Sequence, residues 1–334
     1  MRVLLTGANG LLGHNVVLRL LQQGHEVNAI VRKAESLCVK DDRLNVLEGS
    51  FLKHSDLLKA AEGCEAVIHA AATTDMSLLK YSDFEKVIVH GSQNVIDVCN
   101  EVGIKKIVYI SSANTIGYGN AERLATESEP MQAPFTESFY AKAKKNAEEL
   151  FVKQSQRADN HVIILNPTFM LGAYDTKPSS GAMLLAAHRR FVAFATKGGK
   201  NFVHVGDVAK AAVNALDSGL NGERYIAGGN NLSIKQLYKL QKMVSGYPKH
   251  VIVLPVFLAK CAGFLGDLLR KCLLSVSFSS VNIKQLYVRE YYSPQKAVDE
   301  LQMPQTPVEE AIADSLQWFV STGKIRSTKK LSNL

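Results

Sequence analysis

The chain has 334 residues, and 46% of them are hydrophobic, which excludes a disordered protein and allows a large buried core. Its net charge is +8 at neutral pH, but the Lys and Arg residues are spread along the chain except in the tail at 323–330. A nucleic-acid-binding protein more often carries a basic face interleaved with aromatic residues, so the composition argues against that class. Binding of a small anionic ligand would explain the positive net charge equally well.

The cysteines are odd in number and widely scattered, with no CxxC or His-paired spacing. We therefore expect reduced thiols, no metal site and a cytoplasmic protein. The apolar run at the N-terminus is too short for a signal peptide, so secretion is not expected. The cysteines are Cys38, Cys64, Cys99, Cys261 and Cys272.

Six apolar runs in the first half of the chain read as buried strands. Helical patterns lie between them, among them residues 11–24, which end at Gly24, and residues 84–103, which end at Gly103. Continuous apolar strands alternating with helices predict a parallel sheet covered on both faces. We therefore predict an α/β fold, a Rossmann-like doubly wound parallel sheet with a smaller mixed α/β C-terminal substrate domain. The predicted strands are residues 2–6, 26–31, 44–48, 66–70, 106–111 and 161–166.

The composition and the pattern of the sequence change after the last of these strands. Residues 167–181 are rich in Pro, Gly and Ser and are predicted to form a loop. Residues 201–217 again read as a strand followed by a helix, which predicts that the chain returns to the first domain. We predict a dinucleotide-binding domain at 1–166, joined by 201–217, and a substrate-binding domain formed by 167–200 and 218–334.

The most apolar segment lies at 251–278. Four charged residues interrupt it and Pro255 breaks it, so it cannot span a bilayer. Charges at helical intervals predict an amphipathic helix that packs on the protein, with peripheral contact to a membrane surface as the alternative. The charged residues are Lys260, Asp267, Arg270 and Lys271.

The first chemical signal is "TGANGLLG", residues 6–13, directly after the first strand and opening the first helix. Gly7, Gly10 and Gly13 let the backbone turn tightly and approach a pyrophosphate, while the helix N-terminus favours its negative charge. This placement predicts a dinucleotide site. The predicted cofactor-binding residues here are Thr6, Gly7, Asn9, Gly10, Leu11, Leu12 and Gly13.

The end of the second strand indicates which dinucleotide is bound. NAD-binding proteins usually keep an acid there for the ribose hydroxyls, whereas this strand is followed by Arg32 and Lys33. Both cations can pair with a 2′-phosphate, so we predict NADP. NAD remains the less favoured alternative, because Glu35 could serve the ribose and the basic pair could be a solvated turn.

A Tyr and a Lys four residues apart face the same side of a helix, and the spacing occurs at 140–144, 238–242 and 292–296. Pro294 would disrupt the third pair, and no strand-end serine precedes the second. Only the first pair follows a strand that delivers serines, Ser111 and Ser112, to the carboxyl edge of the sheet, where ligands bind in open α/β folds.

These residue types suit the reduction of a carbonyl. Tyr140 would be the acid or base, and Lys144 with the positive charge of an oxidised nicotinamide would lower the pKa of its phenol. Lys144 could also hold the nicotinamide ribose. Ser112 would donate a hydrogen bond to the substrate oxygen. We therefore predict Ser112, Tyr140 and Lys144 as catalytic, with Tyr140 and Lys144 also contacting the cofactor.

Across its whole length the chain resembles the extended branch of the short-chain dehydrogenase/reductase superfamily, the NAD-dependent epimerase/dehydratase type. Within it, residues 166–181, 222–233 and 318–325 are similar to the dihydroflavonol-reductase-like and hopanoid-associated sugar-epimerase-like subgroup. The resemblance implies that Ala70 and Ala71 lie along the cofactor and that Asn166 and Pro167 lie beside the nicotinamide. It is carried by residues 6–13, 69–72, 111–117, 166–168 and 202–211 and by Tyr140 with Lys144.

These patterns predict an NADP-dependent oxidoreductase that interconverts a ketone or aldehyde and the matching alcohol. Two alternatives remain: a nucleotide-sugar epimerase or dehydratase that retains its NAD(P), and a non-catalytic dinucleotide-binding protein. We expect a small-molecule substrate, no nucleic acid and a possible homodimer. The substrate is not readable from the sequence, because its pocket should be built from the second domain, where no motif defines a chemistry.

Overall fold

The computed structural model of the chain describes residues 1–37, 39–75, 77–271 and 279–333. The predicted thiols at Cys38 and Cys272, and the last seven residues of the predicted segment 251–278, lie outside these ranges. The strands are β1 (Arg2–Thr6), β2 (Glu26–Val31), β3 (Leu44–Glu48), β4 (Ala66–His69), β5 (Lys106–Ile110), β6 (His161–Pro167), β7 (Phe169–Leu171), β8 (Val192–Ala195), β9 (Gly199–His204), β10 (Arg224–Ala227), β11 (Asn230–Ser233), β12 (His250–Val253) and β13 (Arg289–Glu290).

The helices alternate with the strands through the first half of the chain and dominate its last third. They are α1 (Leu11–Gln22), α2 (His54–Ala61), α3 (Tyr81–Val102), α4 (Phe139–Ser155), α5 (Ala182–Ala187), α6 (Val205–Asn214), α7 (Ile234–Ser245), α8 (Val256–Lys271), α9 (Ser280–Gln285), α10 (Gln295–Leu301) and α11 (Val308–Ser321).

A seven-stranded sheet forms the centre of the molecule, in the order β10-β6-β5-β4-β1-β2-β3. Every neighbouring pair in it is parallel. The six strands predicted from apolar runs are β1 to β6, and the predicted Rossmann-like α/β fold is confirmed. Such a sheet brings the carboxyl ends of its strands to one edge, where open α/β folds bind their ligands.

The sheet is buried on both faces because its strands are apolar at consecutive positions. In β1, Val3 and Leu5 pack into the core under α1, α6 and α10. Leu4, between them, points to the opposite core, under α2, α3 and α4. This alternation follows from the two-residue period of a strand, and it fixes helices on either side of the sheet.

A second group of elements lies after β6. It contains a sheet in the order β11-β9-β13, with β7 also paired to β9, and a separate pair, β8 with β12. Helices α5, α7 and α11 cover these strands and share one apolar core. We call this group the C-terminal lobe.

Three elements of this region differ from the sequence prediction. The stretch 167–181, expected to be a loop, contains β7. Of the stretch 201–217, expected to return to the first domain, α6 packs in the core with α1, whereas the strand β9 pairs within the C-terminal lobe. β10 lies in the main sheet, although residues 218–334 were assigned to the second domain. β7 and β10 have only three and four residues, too few to show a period in sequence, and the partners of β9 come from distant parts of the chain, so they are visible only in the fold. The division into two domains stays a prediction.

The described cysteines are free, and the apolar segment contains a helix. Cys64, Cys99 and Cys261 are free thiols. Burial raises the pKa of Cys64 to about 11 and that of Cys99 to about 12. Among the described residues, no helix is long and apolar enough to cross a membrane. The predicted helix in 251–278 is present as α8.

Candidate functional site

The glycine-rich turn joins β1 to α1 at the carboxyl edge of the main sheet. α1 begins after Gly10 with no side chain capping it and no acidic residue in its first turn. The free N–H groups of a helix N-terminus carry partial positive charge and favour an anion. The start of α1 therefore fits the pyrophosphate of a dinucleotide.

The glycines of this turn meet different requirements. Gly7 has φ +76°, and a Cβ there would lie 2.7 Å from the backbone nitrogen of Ala71. A Cβ at Gly13 would lie 2.0 Å from the carbonyl oxygen of Gly7. At Gly10 the nearest atom would be 3.4 Å away and the residue is exposed, so packing within the protein leaves its outer side open to a ligand.

Residues 69–71 are fixed against this turn by Thr6. The backbone N–H of Ala71 donates to Thr6 Oγ1 at 3.2 Å, and Thr6 Oγ1 lies 2.6 Å from His69 Nδ1. Burial lowers the pKa of His69 to about 3, so the imidazole is neutral. The Ala70 N–H also bonds the Thr6 carbonyl. Ala70 and Ala71 thus line the turn where the cofactor was predicted to lie.

The turn after β2 lies beside the glycine-rich turn. Asn9 Nδ2 donates to Ser36 Oγ at 3.1 Å, which joins the two. Arg32 and Lys33 follow β2 directly and are exposed. Neither forms an ion pair within the part of the chain that the structure describes. Two unpaired cations in this position fit a 2′-phosphate.

The structure brings Ser112 and Tyr140 together. Ser112 follows β5, and Tyr140 stands in the first turn of α4, where Ser138 caps the helix by accepting from the Ala141 N–H. Burial raises the pKa of the Tyr140 hydroxyl above its ordinary value, and hydrogen bonding by Ser112 partly offsets the rise. Desolvation is the dominant influence in the protein alone, and the lowering predicted for the complex with oxidised nicotinamide stays a prediction.

Lys144 lies one helical turn after Tyr140 and is almost fully buried. Its Nζ donates to the carbonyl oxygen of Ile110 at 2.7 Å and lies 5.0 Å from the centre of the Tyr109 ring. Burial lowers the pKa of Lys144 to about 7, against the opposing effect of Glu148. The amine therefore changes charge near neutral pH. Its bond to Ile110 ties α4 to the end of β5, from which Ser112 emerges.

Asn166, at the end of β6, holds the serine-bearing loop. Its Nδ2 lies 3.2 Å from the carbonyl oxygen of Ser112 and 2.9 Å from a carboxylate oxygen of Glu148. Its Oδ1 is buried without a hydrogen-bond partner among the described residues. Pro167, the last residue of β6, is buried beside it.

Sequence reasoning missed Glu148, a fully buried carboxylate behind the site. One of its oxygens accepts from the hydroxyls of Ser111 at 2.7 Å and Thr115 at 2.8 Å as well as from Asn166. The other pairs with Arg224 Nε of β10 at 2.9 Å and with Lys145 at 3.4 Å. Glu148 thus connects the loop after β5 with β6, β10 and α4.

A signal for Glu148 was present in the sequence. It stands four residues after Lys144 and eight after Tyr140, so all three lie along one face of α4. A carboxylate on a face that is buried elsewhere needs donors, which marks it as more than a solvated helix residue. Arg224, its charged partner, could not be found in this way, because β10 joins the sheet from far along the chain.

A doubly wound parallel sheet with a glycine-rich turn after its first strand defines a dinucleotide-binding α/β protein. The pattern of the NAD dependent epimerase/dehydratase family matches residues 3–228, more than half of the chain. The protein belongs to this family. It is an NAD(P)-dependent enzyme of the extended short-chain dehydrogenase/reductase type.

Similar proteins match the chain over nearly its whole length. A protein from Synechocystis, provisionally named dihydroflavonol 4-reductase, is 28% identical over 332 residues, covering 96% of this chain and 95% of that protein. Sterol demethylase protein B of Methylococcus capsulatus is 27% identical and covers 97% of this chain and 100% of that protein.

Solved structures share the fold at the same coverage. The crystal structure of gox2253 has a TM-score of 0.81 at 25% identity, covering 97% of this chain and 99% of that one. UDP-glucose 4-epimerase of Thermotoga maritima, solved with UDP-glucose, has a TM-score of 0.76 at 20% identity, covering 96% of this chain and 99% of that one. The second likeness concerns the fold alone.

Proposed function

We propose that the protein is an NADP-dependent oxidoreductase that interconverts a ketone or aldehyde and the matching alcohol through Ser112, Tyr140 and Lys144. The observation that supports this most is the meeting of Ser112 with Tyr140 at the carboxyl edge of the sheet, with Lys144 buried one turn behind. Relatives over most of the chain are named as reductases, including a ketoreductase of Stigmatella aurantiaca at 28% identity.

The cofactor would lie along the glycine-rich turn. The N-terminus of α1 would hold its pyrophosphate, Ala70 and Ala71 would pass beside it, and Asn166 and Pro167 would lie near its nicotinamide. Arg32 and Lys33 would pair with the 2′-phosphate. When bound, the reduced nicotinamide supplies the hydride.

Three side chains would carry the remaining steps of the reaction, which are proton transfer and stabilisation of charge. Tyr140 would give a proton to the carbonyl oxygen as hydride arrives at the carbon, and would take it back in the reverse direction. Ser112 would donate a hydrogen bond to the same oxygen. Lys144, when protonated, would stabilise the phenolate that remains, and its pKa of about 7 lets it exchange a proton at neutral pH.

A panel of carbonyl compounds tests the proposed reaction. The purified protein is incubated with NADPH or NADH and with flavonoid, quinoline, sterol and simple ketones, and consumption of the reduced cofactor is followed. We expect NADPH to be consumed with at least one carbonyl compound and the matching alcohol to form. No consumption with any of them would contradict the proposed reaction.

A second function, nucleotide-sugar epimerisation or dehydration with retained NAD(P), is favoured by the family and by the UDP-glucose bound to a structural neighbour. Such an enzyme converts a UDP-sugar without net consumption of added NADPH. Conversion of a nucleotide sugar together with inactivity in the carbonyl panel would establish this second function instead. Binding of NADPH with no turnover of either kind would indicate a non-catalytic dinucleotide-binding protein.

Cofactor preference gives a separate prediction. Because Arg32 and Lys33 can pair with a 2′-phosphate, NADPH should bind at least about tenfold tighter than NADH, a difference of about 1.4 kcal/mol. Arg32→Asp should narrow or reverse this ratio, since a carboxylate repels the phosphate and accepts from ribose hydroxyls. Calorimetric dissociation constants for both cofactors provide the measurement.

Arg157→Asp is the matched control for Arg32→Asp. Arg157 is also exposed, but it lies just before β6, at the amino edge of the sheet, opposite the glycine-rich turn. Its replacement should leave the ratio of the two constants unchanged. Equal affinities for NADPH and NADH in the unaltered protein would rule out the proposed role of the basic pair.

The other partners belong to the same proposal. The substrate would be a small molecule whose pocket is completed by the C-terminal lobe, nucleic acid would not be a partner, and a homodimer is compatible with the family. The protein would act in the cytoplasm.

A further inference from the structure

Several large apolar side chains of α8 are exposed. Phe257, Phe264, Leu265 and Leu268 are 51% to 71% exposed, and Phe257, Phe264 and Leu268 follow one another at helical intervals. The face toward the protein is built differently: a Cβ at Gly263 would lie 3.0 Å from the Cα of Ser280, the first residue of α9. Among the side chains of α8 that the structure describes, Gly263 and Gly266 are buried, while Phe257, Phe264, Leu265 and Leu268 are exposed.

The strand pair β8 and β12, which precedes α8, also exposes large apolar side chains. β8 and β12 place Phe194 opposite Ile252, and these side chains are 59% and 49% exposed. Phe191, one residue before β8, is 68% exposed. Two residues join β12 to α8, so the two sets of exposed side chains lie on consecutive elements of the C-terminal lobe. We call this region the apolar surface. It consists of Phe191, Phe194, Ile252, Phe257, Phe264, Leu265 and Leu268.

Cations border this surface. Arg189 and Arg190 precede Phe191, Lys249 precedes β12, and all three are exposed. The Lys249 N–H donates to the carbonyl of Arg190, so the residues are neighbours in space as well. In sequence, residues 176–200 and 231–266 contain Lys and Arg but no Asp or Glu. The net charge of +8 is therefore unevenly distributed, and this part of the lobe is cationic.

We propose that the apolar surface binds the surface of an anionic phospholipid bilayer. Large apolar patches are uncommon on soluble monomers and mark interaction sites. Aromatic and leucine side chains can enter the boundary between headgroups and acyl chains, while Arg189, Arg190 and Lys249 contact anionic headgroups. This inference does not depend on the proposed reaction.

A second copy of the chain fits the apolar surface less well. A two-fold interface would place the same patch of each copy against the other. Arg189, Arg190 and Lys249 would lie close to their own copies if the axis passed near the start of β8 and β12, and they would lack an acidic partner in the patch if it passed elsewhere, which is unfavourable in both cases. An anionic bilayer satisfies the apolar side chains and the cations together.

Vesicle flotation tests this proposal with the full chain. We expect binding to vesicles of phosphatidylcholine with about 30% phosphatidylserine, weaker binding to phosphatidylcholine alone, and loss of binding as salt screens the charges. Leu268→Glu should weaken binding at least tenfold, because it places a carboxylate within the apolar surface. Arg189→Glu with Arg190→Glu should remove the preference for phosphatidylserine.

Leu220→Glu is the matched control for Leu268→Glu. Leu220 is 62% exposed but lies before β10, outside the apolar surface, so its replacement should leave vesicle binding unchanged. Equal melting temperatures would establish that all variants are folded. Absence of binding to the phosphatidylserine vesicles, or a stable dimer in solution that Leu268→Glu dissociates, would overturn the proposal.

Discussion

Tyr140→Phe is expected to lower steady-state turnover by a factor of about 100 to 10,000, the usual contribution of a general acid or base. The substitution removes only a hydroxyl, so the apolar contacts of the ring remain, among them its edge-on approach to Phe84. NADPH binding and the melting temperature should therefore change little. Turnover is measured on the substrate that the carbonyl panel identifies, together with the NADPH dissociation constant.

Tyr238→Phe is the control for this result. Tyr238 is buried in α7, its pKa is also raised by burial, and Lys242 follows it at the same spacing. It lies in the C-terminal lobe, away from the carboxyl edge of the main sheet, and the serine that ends β11, Ser233, caps α7 by accepting from the Gln236 N–H, so turnover should stay near normal. Near-normal turnover of Tyr140→Phe as well would show that Tyr140 is an ordinary residue on the packed face of α4 and not the proton donor.

Glu148→Ala is expected to destabilise the protein by about 3–5 kcal/mol, because it leaves the partly buried Arg224 guanidinium and the buried donors Ser111, Thr115 and Asn166 without their acceptor. The melting temperature should fall by on the order of 10 °C. Turnover of the protein that remains folded should also fall, since Asn166 loses the carboxylate that orients it against the Ser112 carbonyl. Thermal unfolding and steady-state kinetics measure the two effects.

Glu149→Ala provides a neighbouring control on the same helix. Glu149 is exposed, so its loss should change the melting temperature by little. Glu148→Gln keeps one acceptor oxygen, so its melting temperature should lie between those of Glu148→Ala and Glu149→Ala. A melting temperature for Glu148→Ala equal to that of Glu149→Ala would contradict the supporting role of the buried carboxylate.

The main sheet could be predicted from the sequence because its strands are long, apolar and regularly separated. The glycine-rich turn was equally readable, since its residues are adjacent in the chain and its function depends on backbone geometry. The triad required two distant pieces, Ser112 and Tyr140, and the fold class supplied the link by placing strand ends at one edge. The roles assigned to these residues stay proposals.

Features that depend on distant packing were not readable. In the protein alone burial raises the pKa of Tyr140, and burial is a property of the whole fold; the lowering predicted from Lys144 and an oxidised nicotinamide stays a prediction. The acceptors of Asn166 and the partners of Glu148 come from several separate elements. β7 and β10 are too short to carry a pattern, so nothing local distinguishes them from loop.

The position of β10 has a consequence for how the protein is made. β10 pairs with β6, but the whole stretch 168–223 is synthesised between them. While that stretch emerges from the ribosome, the outer edge of β6 has no partner strand, and Glu148 lacks the Arg224 guanidinium that will pair with it. An unpaired edge is a template for wrong association, so the nascent sheet is vulnerable during this interval. A fragment ending at residue 166 would remain in that condition permanently.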